Sequence, residues 1–251
     1  MKKSKILLLG AGILSASFLM VACSSTQSNA SDKTYSYVFA SNPDTLDYIT
    51  STRGSTSSIT TNLIDGLLEN DKYGNLVPSM AESWTVSKDG LTYTYKIRQG
   101  VKWYTSEGEE YAEVTAHDFV TGLKYAADKK AENLYLVQDS IKGLADYVEG
   151  KSSDFETVGI KAVDDYTLQY TLNKPESYWN SKTTGGILSP VNEAFLKSKG
   201  DEFGSVTPSS ILSNGPYLFK SFTSKSLIEF EKNPNYWDKD NVKIEKVKLS
   251  F

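Results

Sequence analysis

Cysteine and histidine are nearly absent. The 251-residue chain holds one of each, Cys23 and His117. A single cysteine excludes an internal disulfide and a thiolate metal cluster. A single histidine leaves a Ser/His/Asp triad or a multi-histidine zinc site one residue to rest on. His117 stands at the start of a helix-like segment, with no evident nucleophile partner. Excess positive charge is missing too. The formal charge is −4, and Lys2, Lys3 and Lys5 all lie in the leader, so the remainder carries −7. Nucleic-acid binding, which needs a clustered basic face, is excluded on that ground. The Gly10-Ala11-Gly12 stretch sits in the leader, and no phosphate-binding loop appears elsewhere. Glu107, Glu109, Glu110 and Glu113 form an acidic run, but a metal site needs a fixed geometry of oxygens and a solvated loop is the simpler reading. No pattern argues for an enzyme, a metal or a cofactor. What the chain does have is a globular composition, 39% hydrophobic and 23% charged, and enough length for one large domain or two modest lobes.

The N-terminus reads as an export leader. Lys2, Lys3 and Lys5 precede an apolar run over 6–22 that is softened by Gly10, Gly12, Ser15 and Ser17. The run is near the lower length limit for a membrane span and fits a signal peptide better. It ends at Met20-Val21-Ala22-Cys23, before a polar stretch. That junction resembles the lipobox of bacterial lipoproteins, with small Ala22 before the cysteine and Met20 where leucine is commoner. The expectation is a signal peptide over 1–22, a diacylglycerol on Cys23, and a flexible tether over 23–33. With about 0.8 kcal/mol per buried methylene, two acyl chains would hold the protein on the outer face of a membrane.

Beyond the tether the pattern is globular. Residues 35–39 alternate as a strand, and 41–47 are turn-rich. Ile59, Leu63, Ile64, Leu67 and Leu68 fall at helical spacing and predict a helix over 57–70. Trp84, Val86, Tyr93, Tyr95 and Ile97 predict two strands joined at Asp89-Gly90, where glycine accepts positive φ. Thr115 with Asp118 three residues on predicts a helix start, and Phe119, Val120, Leu123, Ala126 and Ala127 supply its apolar stripe. A second helix is expected over 135–149. Strands follow at 160–163, 167–172, 215–220, 226–232 and 242–251. Helices and strands intermingle without strict alternation, which indicates an α+β (mixed α/β) fold.

Several blocks carry a resemblance. They are Ser41 to Asp47 with Leu46-Asp47, Ala81-Glu82-Ser83-Trp84, Lys88-Asp89-Gly90-Leu91-Thr92-Tyr93-Thr94-Tyr95-Lys96-Ile97-Arg98-Gln99-Gly100-Val101-Lys102-Trp103, and Thr115-Ala116-His117-Asp118-Phe119-Val120. Further on come Val163-Asp164-Asp165-Tyr166-Thr167-Leu168, Ser213-Asn214-Gly215-Pro216-Tyr217 and Asn233-Pro234-Asn235-Tyr236-Trp237. In order and spacing they resemble family 5 extracellular solute-binding proteins, the oligopeptide-, dipeptide- and nickel-binding subunits of ABC importers, and among them the oligopeptide-binding lipoproteins of streptococcal type. Most of these residues read equally well as scaffold. Trp84, Tyr93, Tyr95 and Trp103 are expected in the core of a sheet, Arg98 beside a carboxylate at the hairpin base, and Tyr236-Trp237 locking a loop.

The resemblance implies a class II periplasmic-binding-protein-like fold of two lobes around a cleft, with a smaller inserted domain. Carried over here, it places lobe one over 34–59 and 169–251 and the inserted domain over 60–168. It implies an extended oligopeptide held by backbone hydrogen bonds, closure of hinged lobes, and delivery to ABC permease subunits by a monomer. The cleft-facing candidates are Ser41, Asn42, Pro43, Asp44, Thr45, Thr52, Arg53, Gly54, Gly185, Gly186, Ile187, Asn214 and Gly215, with Gly185 and Gly186 expected to let a peptide backbone come close. Oligopeptide-binding members of the family are much longer, so the second lobe is expected to be missing. The alternative is a truncated surface lipoprotein, a remnant or interaction module that does not serve transport.

Overall fold

A computed structural model describes residues 33–251, which form one unit. The leader and Cys23 lie outside the described residues. The first strand is β1 (Thr34–Val38), and a turn-rich stretch leads from it to a short helix, α1 (Gly54–Thr60). The helix predicted over 57–70 ends at Thr60, and Leu68 opens β2 (Leu68–Asn70), paired antiparallel with β3 (Leu76–Pro78). Competition for the backbone explains the difference. The Leu63 carbonyl accepts from the N–H groups of Asn214 (3.1 Å) and Gly215 (2.9 Å) and from the Ser213 hydroxyl (2.7 Å). Asn214 also clamps Asp65 at both ends, accepting from its N–H at 2.9 Å and donating to its carbonyl at 3.2 Å. The apolar residues of the stretch are buried all the same.

The next hairpin follows the sequence reading. Strands β4 (Ala81–Val86) and β5 (Thr92–Ile97) pair antiparallel, Gly90 takes φ +72°, and Asp89 accepts from the Leu91 N–H. A smaller ribbon joins β6 (Lys102–Tyr104) to β7 (Glu110–Glu113). Two glutamates of the acidic run face Lys102 across it, Glu110 at 3.3 Å and Glu113 at 3.2 Å. Helix α2 (Ala116–Asp128) starts where expected, with the Asp118 carboxylate accepting from the Thr115 N–H at 2.9 Å. Its stripe of Phe119, Leu123, Ala126 and Ala127 is buried.

The helix expected over 135–149 is instead a 3-10 turn (Glu132–Leu136) and a short helix, α3 (Leu144–Val148). Gly143 breaks the run at φ +71°, and a Cβ there would stand 2.7 Å from the Thr157 carbonyl. The backbone between the two pieces bonds sideways, Lys142 donating to Thr171 and Ser140 accepting from Asn173. Strands β8 (Ile160–Asp164) and β9 (Thr167–Thr171) complete an antiparallel sheet of order β4-β5-β9-β8. The domain edge expected between 168 and 169 falls inside β9.

The remaining elements are α4 (Trp179–Lys182), α5 (Glu193–Lys199), β10 (Tyr217–Thr223), β11 (Leu227–Lys232) and β12 (Lys246–Ser250). They build a second sheet of order β1-β12-β11-β10, in which β1 lies parallel to β12 and the other pairs are antiparallel. The architecture is the mixed α/β class expected. Trp179 anchors the core, its ring centroid 5.2 Å from Tyr170 and 6.2 Å from Tyr93. Tyr93, Tyr95 and Trp103 are buried and Trp84 is packed at the core's edge. Fully burying one large apolar side chain stabilises by roughly 1.5–3 kcal/mol, which makes this cluster a major source of stability. Arg98 approaches Glu82 at 3.5 Å and stacks on Trp237 at 3.8 Å, while Tyr236 and Trp237 both donate to Asp65 at 2.9 Å. The 233–237 loop is thereby tied to the foot of the hairpin. No helix among the described residues is long and apolar enough to cross a membrane.

Candidate functional site

Residues 41–53 hold their shape through Asp47. Its carboxylate accepts from the N–H groups of Ile49 and Thr50 (both 3.1 Å), the Thr50 hydroxyl (2.6 Å) and the Tyr125 hydroxyl on α2 (2.9 Å). Gly204, at φ +71°, brings its backbone so close that a Cβ would fall 2.4 Å from the Asp47 nitrogen, and only glycine fits there. Two hydroxyls then join the loop to α1: Ser51 donates to Thr56 at 3.1 Å, and Thr56 donates to the Thr45 carbonyl at 2.8 Å.

The opposite wall is the stretch 183–189. The Tyr48 hydroxyl donates to the Pro190 carbonyl at 2.8 Å. Gly186 packs on the Tyr48 backbone, where a Cβ would stand 2.7 Å from its carbonyl. Gly186 is therefore required by packing inside the protein. Behind this wall, Lys182 donates to Glu176 (2.9 Å) and Ser140 (2.6 Å). Glu176 is buried, so this partnered charge pair is expensive to break.

Between the walls lies a hollow of about 170 Å³, floored by Tyr48 and bounded by Ser57, Thr60, Asn133, Gly185 and Gly186. A wider, more open depression of about 680 Å³ adjoins it, bounded by Ser41, Thr45, Thr52, Arg53, Gly54 and Glu132. Ser51 lines both, so the two meet there. The surfaces are mostly hydroxyls, one amide and glycine-exposed backbone. Burial, reinforced by the Asp47 carboxylate, raises the Tyr48 hydroxyl above its ordinary pKa, so it stays a neutral donor, held by the Pro190 carbonyl. Such a lining holds a polar ligand by hydrogen bonds. The lining charges, Arg53 and Glu132, are at the wide end, and Arg53 is matched by Asp44 at 2.8 Å.

The structure gathers Ser41, Thr45, Thr52, Arg53, Gly54, Gly185 and Gly186 around this double hollow, with Asp44 at its rim beside Arg53. It does not bring the other candidates there. Asn42 is turned to the β10–β11 turn, donating to Ser224 and accepting from the Lys225 N–H. Pro43 and Ile187 are buried. Asn214 and Gly215 are interior and bonded to 63–65. Sequence reasoning missed Tyr48, Ser57, Thr60, Glu132 and Asn133. For Ser57 and Thr60 a signal existed, because the run 55–61 is almost all serine and threonine, unusual for a helix. For Glu132 there was none. Its partner Thr52 is 80 positions away.

Residues 75–251 match the model of "Bacterial extracellular solute-binding proteins, family 5 Middle". The oligopeptide-binding protein AliA of Streptococcus pneumoniae serotype 4 is 64% identical over 253 residues, covering 100% of this chain and 38% of the relative. The oligopeptide-binding protein SarA of Streptococcus gordonii is 64% identical over 259 residues, with 100% and 39% covered. Among solved structures, the substrate-binding domain of an oligopeptide ABC transporter from Bacillus anthracis superposes with a TM-score of 0.81 at 31% identity, over 88% of this chain and 42% of that one. Listeria monocytogenes OppA bound to peptide gives 0.80 at 32%, over 87% and 42%. The chain spans about two fifths of the length of the relatives it matches.

Proposed function

The chain belongs to family 5 of the bacterial extracellular solute-binding proteins, and on that premise we propose that it captures oligopeptides outside the cell and delivers them to the permease of an ABC importer. The observation that carries the reading is the 64% identity to an oligopeptide-binding protein along the whole chain. The double hollow suits the task. Hydroxyls, an amide and exposed backbone can bond the main chain of an extended peptide, which gives affinity without reading side chains. Neutral donors suit a ligand whose sequence varies, and bridging water costs little where side chains differ. Cys23 would carry the lipid that keeps the protein at the outer face of the membrane.

Calorimetric titration with a pool of short peptides, beside the same amino acids free, tests the reading. Saturable binding of peptides and not of amino acids is the expected result. Heat signals alike for both, or absent for both, overturn it.

A further inference from the structure

The wall 183–189 contains one 3-10 turn, Gly186–Leu188, and no strand. Its backbone hydrogen bonds are short-range. Gly185 donates to the Lys182 carbonyl at 3.1 Å, Leu188 to Gly185 at 3.1 Å and Ser189 to Gly186 at 3.0 Å. Bonds of that span set the local shape of a turn, whereas its place in the molecule is set where it joins the rest of the fold. At the far end the Val191 N–H donates to the Asp118 carbonyl on α2 at 2.9 Å, and Gly186 rests on Tyr48. At the near end the wall continues from α4, whose last residue is Lys182.

Helix α4 has four residues, too few to hold itself. Its start is fixed to the sheet β4-β5-β9-β8. The Glu176 carbonyl accepts from the Tyr93 hydroxyl at 2.7 Å and from the Trp179 N–H at 3.0 Å, and Trp179 lies against Tyr93 and Tyr170. Its middle is fixed too, because Asn180 accepts from the Tyr95 hydroxyl at 2.6 Å. Its end is held by the Lys182 side chain, which reaches back to the Glu176 carboxylate at 2.9 Å and across to the Ser140 hydroxyl at 2.6 Å. Ser140 donates to the same glutamate oxygen at 3.1 Å, which closes a ring of three. The Glu176 side chain is 3% exposed and that of Lys182 23%. Charge-assisted hydrogen bonds of this kind are short and directional. An apolar contact in their place would let the end of α4 slide.

We propose that Lys182 is a positioning residue of the peptide hollow: its ammonium, closed in a ring with Glu176 and Ser140, fixes the end of α4 and with it the place of Gly185 and Gly186. The inference rests on the peptide-binding reading above. Lys182 lines neither part of the hollow, so it acts through the wall and not on the ligand. A shift of its carbonyl carries the Gly185 N–H along and moves the backbone that lines the narrow part. A buried ion pair adds little net stability over an apolar pair, because desolvation offsets the attraction. What this one supplies is a fixed geometry.

The test separates placement from stability. Lys182→Met removes the donors and keeps most of the stem, but leaves Glu176 buried without its partner. The double variant Glu176→Gln/Lys182→Met leaves no buried charge, and it carries the test should Lys182→Met fail to fold. Ile228→Val, a core truncation in β11 of the other sheet, is the control for lost stability alone. Each protein is titrated calorimetrically with the pool of short peptides, melted thermally, and followed by backbone hydrogen exchange. Both Lys182 variants are expected to bind the pool about two- to tenfold more weakly, the worth of one hydrogen bond to the ligand. The double variant should regain melting temperature over Lys182→Met without regaining affinity. Amides of 185–189 should exchange about tenfold faster or more, while those of β9 change no more than in Ile228→Val. Ile228→Val should melt lower and bind as the unaltered protein does. Unchanged affinity in the Lys182 variants, affinity that returns in the double variant, or faster exchange spread evenly over the chain overturns the inference while peptide binding stands. No binding of the pool by the unaltered protein overturns both.

Discussion

Asp65 shows how a single buried carboxylate sets a pH response. Burial pushes its pKa up to about 6, and the hydrogen bonds from Trp237 and Tyr236 offset only part of that. In the unfolded chain the same group titrates near its ordinary value of about 3.9. The folded form therefore holds a proton that the unfolded form has lost between about pH 4 and pH 6. Stability falls as pH rises through that window. Asp118 behaves alike, raised to about 6 by burial against the hydrogen bonds of Thr115 and Trp103. Replacing Asp65 by asparagine removes one titration. Between pH 4 and pH 7 the stability difference should move in favour of Asp65→Asn by about 2–3 kcal/mol. Urea unfolding at a series of pH values reads this directly, and parallel curves for the two proteins would show that Asp65 titrates normally.

At the scale of elements, what the sequence discloses depends on where backbone hydrogen bonds close. The β4–β5 hairpin and α2 are both local: Asp89-Gly90 makes the turn and Thr115 with Asp118 makes the cap, so each was legible in a short window. The stretches 57–70 and 135–149 have helical spacing too, yet backbone groups within them bond to 213–215 and to Gly159, Thr171 and Asn173. No window of sequence contains those partners. The site follows the same division. Ser41, Thr45, Thr52 and Arg53 were legible as one polar loop, whereas Glu132 and Asn133 reach the hollow only through the tertiary fold. Packing between elements makes a further prediction. A Cβ on Gly122 of α2 would stand 2.3 Å from the Ser189 carbonyl, at the end of the wall formed by 183–189. Alanine is favoured over glycine in a helix by about 1 kcal/mol. The clash, typically about 1–3 kcal/mol for overpacking, should win. Gly122→Ala is expected to lower the melting temperature and to weaken peptide binding by shifting that wall. A more stable variant would show that helix propensity dominates.

For the whole molecule, the lipid anchor proposed at Cys23 lies outside the described unit. The described unit has no membrane-crossing helix. Attachment through the lipid proposed at Cys23 then predicts that Cys23→Ser releases the protein from membranes into the soluble fraction with its fold intact, as followed by immunoblotting of separated fractions and by circular dichroism. Retention in the membrane fraction would place the anchor elsewhere.

The parallel pairing of β1 with β12 has a consequence for the order of assembly. Residues 34–38 can be seated only when 246–250 are present to receive them. That contact spans nearly the whole described chain, and closing so long a loop carries a large entropic cost before the strand pair returns any energy. A polypeptide that emerges amino end first therefore holds β1 without this partner until β12 follows. The sheet β1-β12-β11-β10 cannot be completed before β12 is present, and until then the edge that β12 covers on β1 is open to strands of other chains.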